Sequence, residues 1–149
     1  MIRLSAANIS KCYFLNKKKL SRIVKFILRY TGIKDANLSV VFVSQKEIRR
    51  LNYLYRKRKS PTDVLSFSMR EGKRLKRDSL VLGDVIISPD CARSQAKRFN
   101  STFKKEIYLY VVHGILHLLG YDDEKASSRK IMRKKEREIL NALLRSGLL

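Results

Sequence analysis

The clearest pattern along the chain is a helical one. Apolar residues recur three and four positions apart in the early part of the chain, at Leu20, Ile23, Val24, Ile27 and Leu28. This spacing predicts an amphipathic helix over Lys17–Tyr30, which Gly32 ends. Capping residues and apolar spacing predict four more helices, over residues 44–55, 88–99, 101–119 and 127–144.

Strands are predicted where β-branched and apolar residues run together. The segment LSVVFV at Leu38–Val43 has the composition of a buried strand. Shorter runs predict strands over residues 2–9, 64–69 and 81–88, and the polar, basic residues 71–79 predict an exposed loop. Because the strands gather in the middle and the helices come last, the order favours an α+β fold. We expect one compact domain over residues 1–149, a mixed sheet of about four strands packed with about five helices.

The charge of the chain is strongly one-sided. Thirty-four Lys and Arg against thirteen Asp and Glu give a net charge of +21. Such an excess favours a polyanionic partner, because each cation placed on a phosphate releases condensed counterions. A lysine-rich genome that makes every protein basic is the alternative, and charge alone does not separate the two.

Cysteine usage and apolar runs bear on location. Cys12 and Cys91 are too few for a disulfide framework or a cysteine zinc site, and are typical of thiols in a reducing compartment. The N-terminus MIRLSAANIS has no apolar signal-peptide core, and the apolar run Leu109–Leu119 is shorter than the roughly 20 residues that span a bilayer. We therefore expect a cytoplasmic protein with no membrane partner.

The two histidines of the chain lie four residues apart. His113 and His117 project from one face of the predicted helix, about 5–6 Å apart at Cβ. A turn at Gly120 then allows a carboxylate to follow as a third ligand, which leaves an open position for water. Burying two neutral histidines without partners in so apolar a run is costly, so a metal site is favoured over a structural pair.

Other polar residues are open to two interpretations. Arg56 or Arg58 can hold a phosphate, or belong to a solvated basic loop. Asp63 and Asp84 are either turn residues or hydrogen-bonding partners of a ligand imidazole.

Three blocks of the chain resemble the YbeY family of bacterial endoribonucleases. HGILHLLGYDD at His113–Asp123 is similar to the family signature HGxLHLxGYDH. LNYLYRKRKSPTDVLSF at residues 51–67 resembles a Leu-Asn…Arg…Pro-Thr-Asp-Val-Leu-Ser-Phe block, and LGDVIIS at residues 82–88 resembles a Leu-Gly-Asp-Ile-x-Ile-Ser strand. The blocks occur in the order that the family has.

The resemblance implies a compact zincin-like α+β fold and one divalent metal, usually zinc, bound by three histidines. It also implies cleavage of single-stranded RNA, maturation of the 3′ end of small-subunit (16S) rRNA, ribosome quality control, and the small ribosomal subunit as partner. His113 and His117 match the first two ligands, and Arg56 matches an arginine of the catalytic cleft.

The third ligand position departs from the family pattern. Asp123 stands where the family has histidine. Aspartate is an acceptable zinc ligand at about 2.0–2.2 Å, but its charge weakens the Lewis acidity of the metal and favours harder ions such as manganese. The alternatives are that Glu124 binds instead, or that the site is weakened or empty.

These residues favour metal-assisted phosphodiester hydrolysis. In this hypothesis His113, His117 and Asp123 hold the metal, and Arg56 stabilises charge on the phosphate. The general base stays open between metal hydroxide and a nearby carboxylate. A non-catalytic ribosome- or RNA-binding assembly factor with a structural or lost metal is one alternative. A metallopeptidase is another, disfavoured by the charge and by Gly114, which stands where the HExxH motif has its glutamate base.

Overall fold

The computed structural model describes residues 1–8, 10, 16–56, 62–69 and 81–149. The predicted loop at 71–79, Pro61, Arg58 and Cys12 lie outside these residues. The described elements are β1 (Ile2–Asn8), α1 (Lys17–Tyr30), β2 (Ala36–Phe42), α2 (Gln45–Arg56), β3 (Val64–Ser68), β4 (Val81–Ile87), α3 (Pro89–Arg98), α4 (Phe103–Leu118) and α5 (Ala126–Arg145). The α+β prediction is confirmed.

The strands form one mixed sheet in the order β1-β2-β4-β3. Strands β1, β2 and β4 are parallel, whereas β3 pairs antiparallel with β4. Strand β3 therefore lies at one edge of the sheet, beside the helix that carries the histidines, since α4 packs on both β3 and β4.

The two faces of the sheet are covered by different helices. Val40, Phe42, Val85 and Ile87 join α1, α4 and α5 in the main core. Ile48 of α2 packs in a second cluster, formed by the residues that alternate with these along the strands. It includes Val41, Val43, Leu65 and Ile86. Because side chains alternate between the faces of a strand, α2 lies on the face opposite to α4.

The ends of the helices follow from their caps. The Asn16 side chain accepts a hydrogen bond from the Lys19 amide at 3.0 Å, and α1 begins and ends where the apolar pattern predicted. Thr102, one of the two predicted starting residues, caps α4 through the Lys105 amide at 3.2 Å. None of the described helices is long and apolar enough to cross a membrane.

Most predicted boundaries differ from the observed ones by one or two residues, and two of these differences have a clear cause. Strand β2 begins at Ala36, not at Leu38, because Ala36 and Asn37 already pair with β1. Helix α5 begins at Ala126, before the predicted Ser127 or Ser128, and the Ser128 hydroxyl donates to the Lys125 carbonyl from within the first turn.

Candidate metal centre

The C-terminal half of α4 places two imidazoles side by side. Its neighbours Val112, Ile115 and Leu116 are fully buried, whereas His113 and His117 keep 24% and 27% of their side-chain surface exposed. Their Nε2 atoms lie 3.0 Å apart. The predicted helical spacing thus brings both ring nitrogens to one accessible point.

A turn after α4 brings a carboxylate to the same point. Gly120 adopts φ 100°, in the left-handed region that favours glycine, and its amide donates to the His117 carbonyl at 3.0 Å. The chain then returns so that Asp123 Oδ2 lies 3.6 Å from His113 Nε2, and Oδ1 lies 3.6 Å from His117 Nε2. The three residues predicted as ligands are therefore brought together.

The spacing of these three groups fits a small divalent ion. One donor atom of each side chain lies within 4.8 Å of the others. Tetrahedral ligands at about 2.1 Å from one ion lie about 3.4 Å from each other, close to the observed separations. Glu124, the predicted alternative ligand, does not belong to this cluster.

A fourth residue, Glu136 on α5, orients His113. The His113 Nδ1–H donates to Glu136 Oε1 over 2.5 Å, and the carboxylate is only 12% exposed. A carboxylate that accepts from Nδ1 fixes the tautomer, so that Nε2 presents its lone pair to the site. This is the arrangement expected for a metal-binding histidine.

Sequence reasoning missed Glu136, which lies 23 residues after His113. Only the packing of α5 on α4 brings the two together. One signal could have found it, because Glu136 occupies a core-facing position in the apolar stripe of α5, between Met132 and Ile139. An acidic residue in such a stripe requires a buried partner.

The surroundings of His117 favour its neutral form. Burial lowers the pKa of His117, and the charges of His113 and Arg56 lower it further. Asp123 and the backbone at Tyr121 act in the opposite direction. Neutral imidazole is the form that binds a metal.

Arg56 is placed beside this cluster at the end of α2. Its Nη2 donates to the Ser66 carbonyl at 3.4 Å, and the Ser66 hydroxyl donates to the Gly114 carbonyl at 3.0 Å. These bonds connect α2, β3 and α4 next to His113. The guanidinium is exposed, and its positive charge lowers the pKa of His117.

Within the described residues, neither Asp63 nor Asp84 forms a hydrogen bond to an imidazole. The Asp63 carbonyl accepts from the Ser88 amide at 3.0 Å, and burial raises the pKa of its carboxyl group, while Tyr110 and the charge of His113 lower it. Asp84 accepts a hydrogen bond from Ser39 on the face opposite to α4. For His113, the orienting role that the sequence left open for them is taken by Glu136.

Comparisons with known proteins identify related chains. A family model described as Endoribonuclease YbeY matches residues 6–144. An endoribonuclease YbeY from Pelotomaculum thermopropionicum is 44% identical over 127 residues, 83% of this chain and 84% of that protein. One from Geobacter metallireducens is 36% identical over 149 residues, 99% of each chain. The solution structure of TM1509 from Thermotoga maritima matches at a TM-score of 0.63 and 31% identity, covering 99% of this chain and 93% of that one.

Proposed function

The chain belongs to the YbeY family of endoribonucleases, and from this premise we propose that it cleaves single-stranded RNA by metal-assisted phosphodiester hydrolysis. The observation that carries the proposal is the convergence of His113, His117 and Asp123 at separations that suit one ion. Zinc is the proposed ion, since two imidazoles and one carboxylate form a common catalytic zinc set with an open position.

The proposed substrate is the 3′ end of small-subunit (16S) rRNA. The support is the resemblance of the three sequence blocks to the YbeY family, together with the net charge of +21, which suits a polyanion. We extend the proposal to ribosome quality control, to the small ribosomal subunit as partner, and to the cytoplasm as the location.

Each side chain of the centre has a distinct proposed part. His113 and His117 bind through Nε2, and Glu136 keeps the Nε2 lone pair of His113 directed at the site. A divalent ion held there supplies Lewis acidity toward a phosphodiester. Arg56, held on the Ser66 carbonyl, binds a phosphate oxygen and stabilises the negative charge that grows in the transition state.

The geometry at Gly114 argues against a peptidase. A Cβ at this position would meet Val85 Cγ1, and would lie 3.1 Å from Val85 Cγ2 and 3.3 Å from Ser66 Oγ. The position faces the sheet, so a glutamate base cannot stand here unless α4 moves away from β4. The thermolysin-type mechanism therefore has no glutamate base at the position beside His113 where the HExxH motif requires it.

The test is RNA cleavage and metal content in His117→Ala, with Glu124→Gln as the control. We expect about one metal per wild-type chain, and a loss of metal with at least about 100-fold slower cleavage of a single-stranded RNA in His117→Ala. Glu124→Gln, which removes a neighbouring carboxylate outside the cluster, keeps both. Full cleavage by His117→Ala contradicts the proposal. RNA binding without cleavage by the wild type would instead favour the non-catalytic assembly factor.

A further inference from the structure

The outward face of α1 carries a stripe of positive charge. Lys18, Arg22, Lys25 and Arg29 recur at helical spacing. At about 100° per residue they lie within about 60° of one another around the helix axis, and they extend over about 16 Å. The helix contains no acidic residue, so nothing within it offsets the four charges.

These four cations have no acidic partner in the described part of the chain. One described ion pair joins the N-terminus to Asp35, and one lies within each of α2 and α5. The others join the two histidines to Asp123 or Glu136. On the flank of the stripe, the neighbouring Lys104 lowers the pKa of Lys19. Positive groups thus crowd this side of the molecule without compensation.

Three clefts that share lining residues extend from the stripe to the turn after α4. The first, about 530 Å³, lies between β1 and α1 and is lined by Lys18, Arg22 and Lys25. The second, about 510 Å³, shares Arg22 and Lys25 with the first and includes Tyr30. The third, about 450 Å³, shares Tyr30 with the second and reaches Tyr121, in the turn between the second and third metal-binding residues. We call the stripe and these clefts the basic track.

We propose that the basic track binds the phosphate backbone of single-stranded RNA and leads it to the metal centre. The inference rests on the proposed RNA cleavage and names the surface that holds the substrate away from the scissile bond. Cations at regular spacing along a groove are suited to successive phosphates. The residues that the clefts share give one strand a path from α1 to Tyr121, two residues before Asp123.

An anionic membrane is a poorer fit to the same charges. A helix that binds a bilayer inserts an apolar face between the headgroups. Five apolar residues of α1 instead pack in the core, each at most 1% exposed: Leu20, Ile23, Val24, Ile27 and Leu28. Phe26 is partly buried, and Tyr30, at the end of the helix, is 43% exposed. The outer face of the helix therefore offers cations, with one exposed aromatic side chain at its end, and no apolar face that could insert between headgroups.

The test is the salt dependence of RNA affinity in Arg22→Gln/Lys25→Gln/Arg29→Gln. The control, Lys46→Gln/Lys97→Gln/Arg98→Gln, removes the same charge from exposed positions on α2 and α3. Both triple variants are made with His117→Ala, so that a twenty-nucleotide RNA is bound but not cut. We expect the slope of log K against log salt to shrink by about 2 for the track variant, and affinity at 0.15 M salt to fall by up to about 50-fold. For the control, the slope changes by less than about 0.7, the contribution of one phosphate contact on a single strand.

Cleavage by the otherwise wild-type enzyme gives a second readout. With the track variant, KM for a long RNA rises while kcat stays unchanged, because the cations lie away from the reacting bond. A dinucleotide, which is too short to reach α1, is cleaved equally by both proteins. If the triple variant folds poorly, Lys18→Gln/Arg22→Gln replaces it in the salt-dependence measurement. The expected change in the slope of log K against log salt is then about 1.4.

The outcomes separate this inference from the proposed function. Equal slopes and affinities for the track and control variants, in a protein whose wild type cleaves RNA, overturn the basic track alone. A wild type that does not cleave RNA overturns the proposed function. In that case, the slopes of log K against log salt for the track and control variants still show whether RNA binds to the basic track. Loss of binding to phosphatidylglycerol vesicles with unchanged RNA affinity would make α1 a membrane surface and also overturn the inference.

Discussion

Glu136 is the residue that orients His113 in the candidate metal centre. Its carboxylate accepts from His113 Nδ1 over 2.5 Å, and the bond keeps the Nε2 lone pair available. Glu136→Gln keeps the shape of the side chain but removes the charge that makes His113 a stronger ligand. We expect metal affinity to fall by about 10- to 100-fold, measured by competition with a chelating dye.

Glu138→Gln is the matched control for this change. Glu138 lies two residues farther along α5, where it pairs with Lys135 Nζ at 3.3 Å and is 40% exposed. Its substitution removes the same charge from the same helix without touching His113, so wild-type affinity is expected. If the two variants bound metal equally well, the orienting role of Glu136 would be refuted.

The sequence contained part of the candidate centre but not all of it. The spacing of His113 and His117 and the six-residue step to Asp123 are local, and a helix followed by a glycine turn brings the three together. Glu136 comes from another helix, so its role depends on how α5 packs against α4. Whether Asp123 binds a metal stays a prediction, which the metal content of Asp123→Ala would decide.

At the scale of elements, Gly114 sets how closely α4 lies on the sheet. A Cβ there would meet Val85 Cγ1 in the core and crowd Ser66 Oγ at 3.3 Å. Overpacking of this kind costs about 1–3 kcal/mol, whereas replacing a helical glycine by alanine returns up to about 1 kcal/mol. We expect Gly114→Ala to lower the free energy of unfolding by about 1–2 kcal/mol, measured by urea denaturation.

Val85→Ala provides the test of this mechanism. It removes both methyl groups that the new Cβ would meet, so the double variant should be more stable than the sum of the two single changes predicts, by about 1 kcal/mol. Simple additivity would mean that Gly114 affects stability by some route other than contact with β4.

The element boundaries show which signals are local. Helix α1 begins and ends at the residues that the apolar pattern predicted, because Asn16 caps its start and Thr31 caps its end. Ser44, the first residue of the predicted helix 44–55, caps α2 by accepting a hydrogen bond from the Glu47 amide at 3.1 Å. The Glu47 carboxylate pairs with Arg50. The start of β2 was missed because its first two residues are strand only through pairing with β1.

At the scale of the whole molecule, the fold class was predictable but the strand order was not. The succession of helical and strand patterns indicated α+β, as the structure confirms. Nothing in the spacing of residues 64–68 shows that β3 runs antiparallel at the sheet edge, outside β4. That placement depends on contacts between distant segments, and it brings the Ser66 carbonyl to Arg56 beside the metal centre.

The net charge of +21 makes a prediction about stability that does not depend on RNA. The ion pairs that join lysine or arginine to a carboxylate between described residues lie within α2 and α5. Added salt therefore screens more repulsion between cations than attraction within ion pairs. We expect the Tm to rise by a few degrees between 10 mM and 300 mM KCl. The variant Arg22→Gln/Lys25→Gln/Arg29→Gln, which removes three unpaired cations from one helix, should melt above the wild type at low salt and alongside it at high salt. A wild-type Tm that falls with added salt would show that attractive pairs outweigh this repulsion.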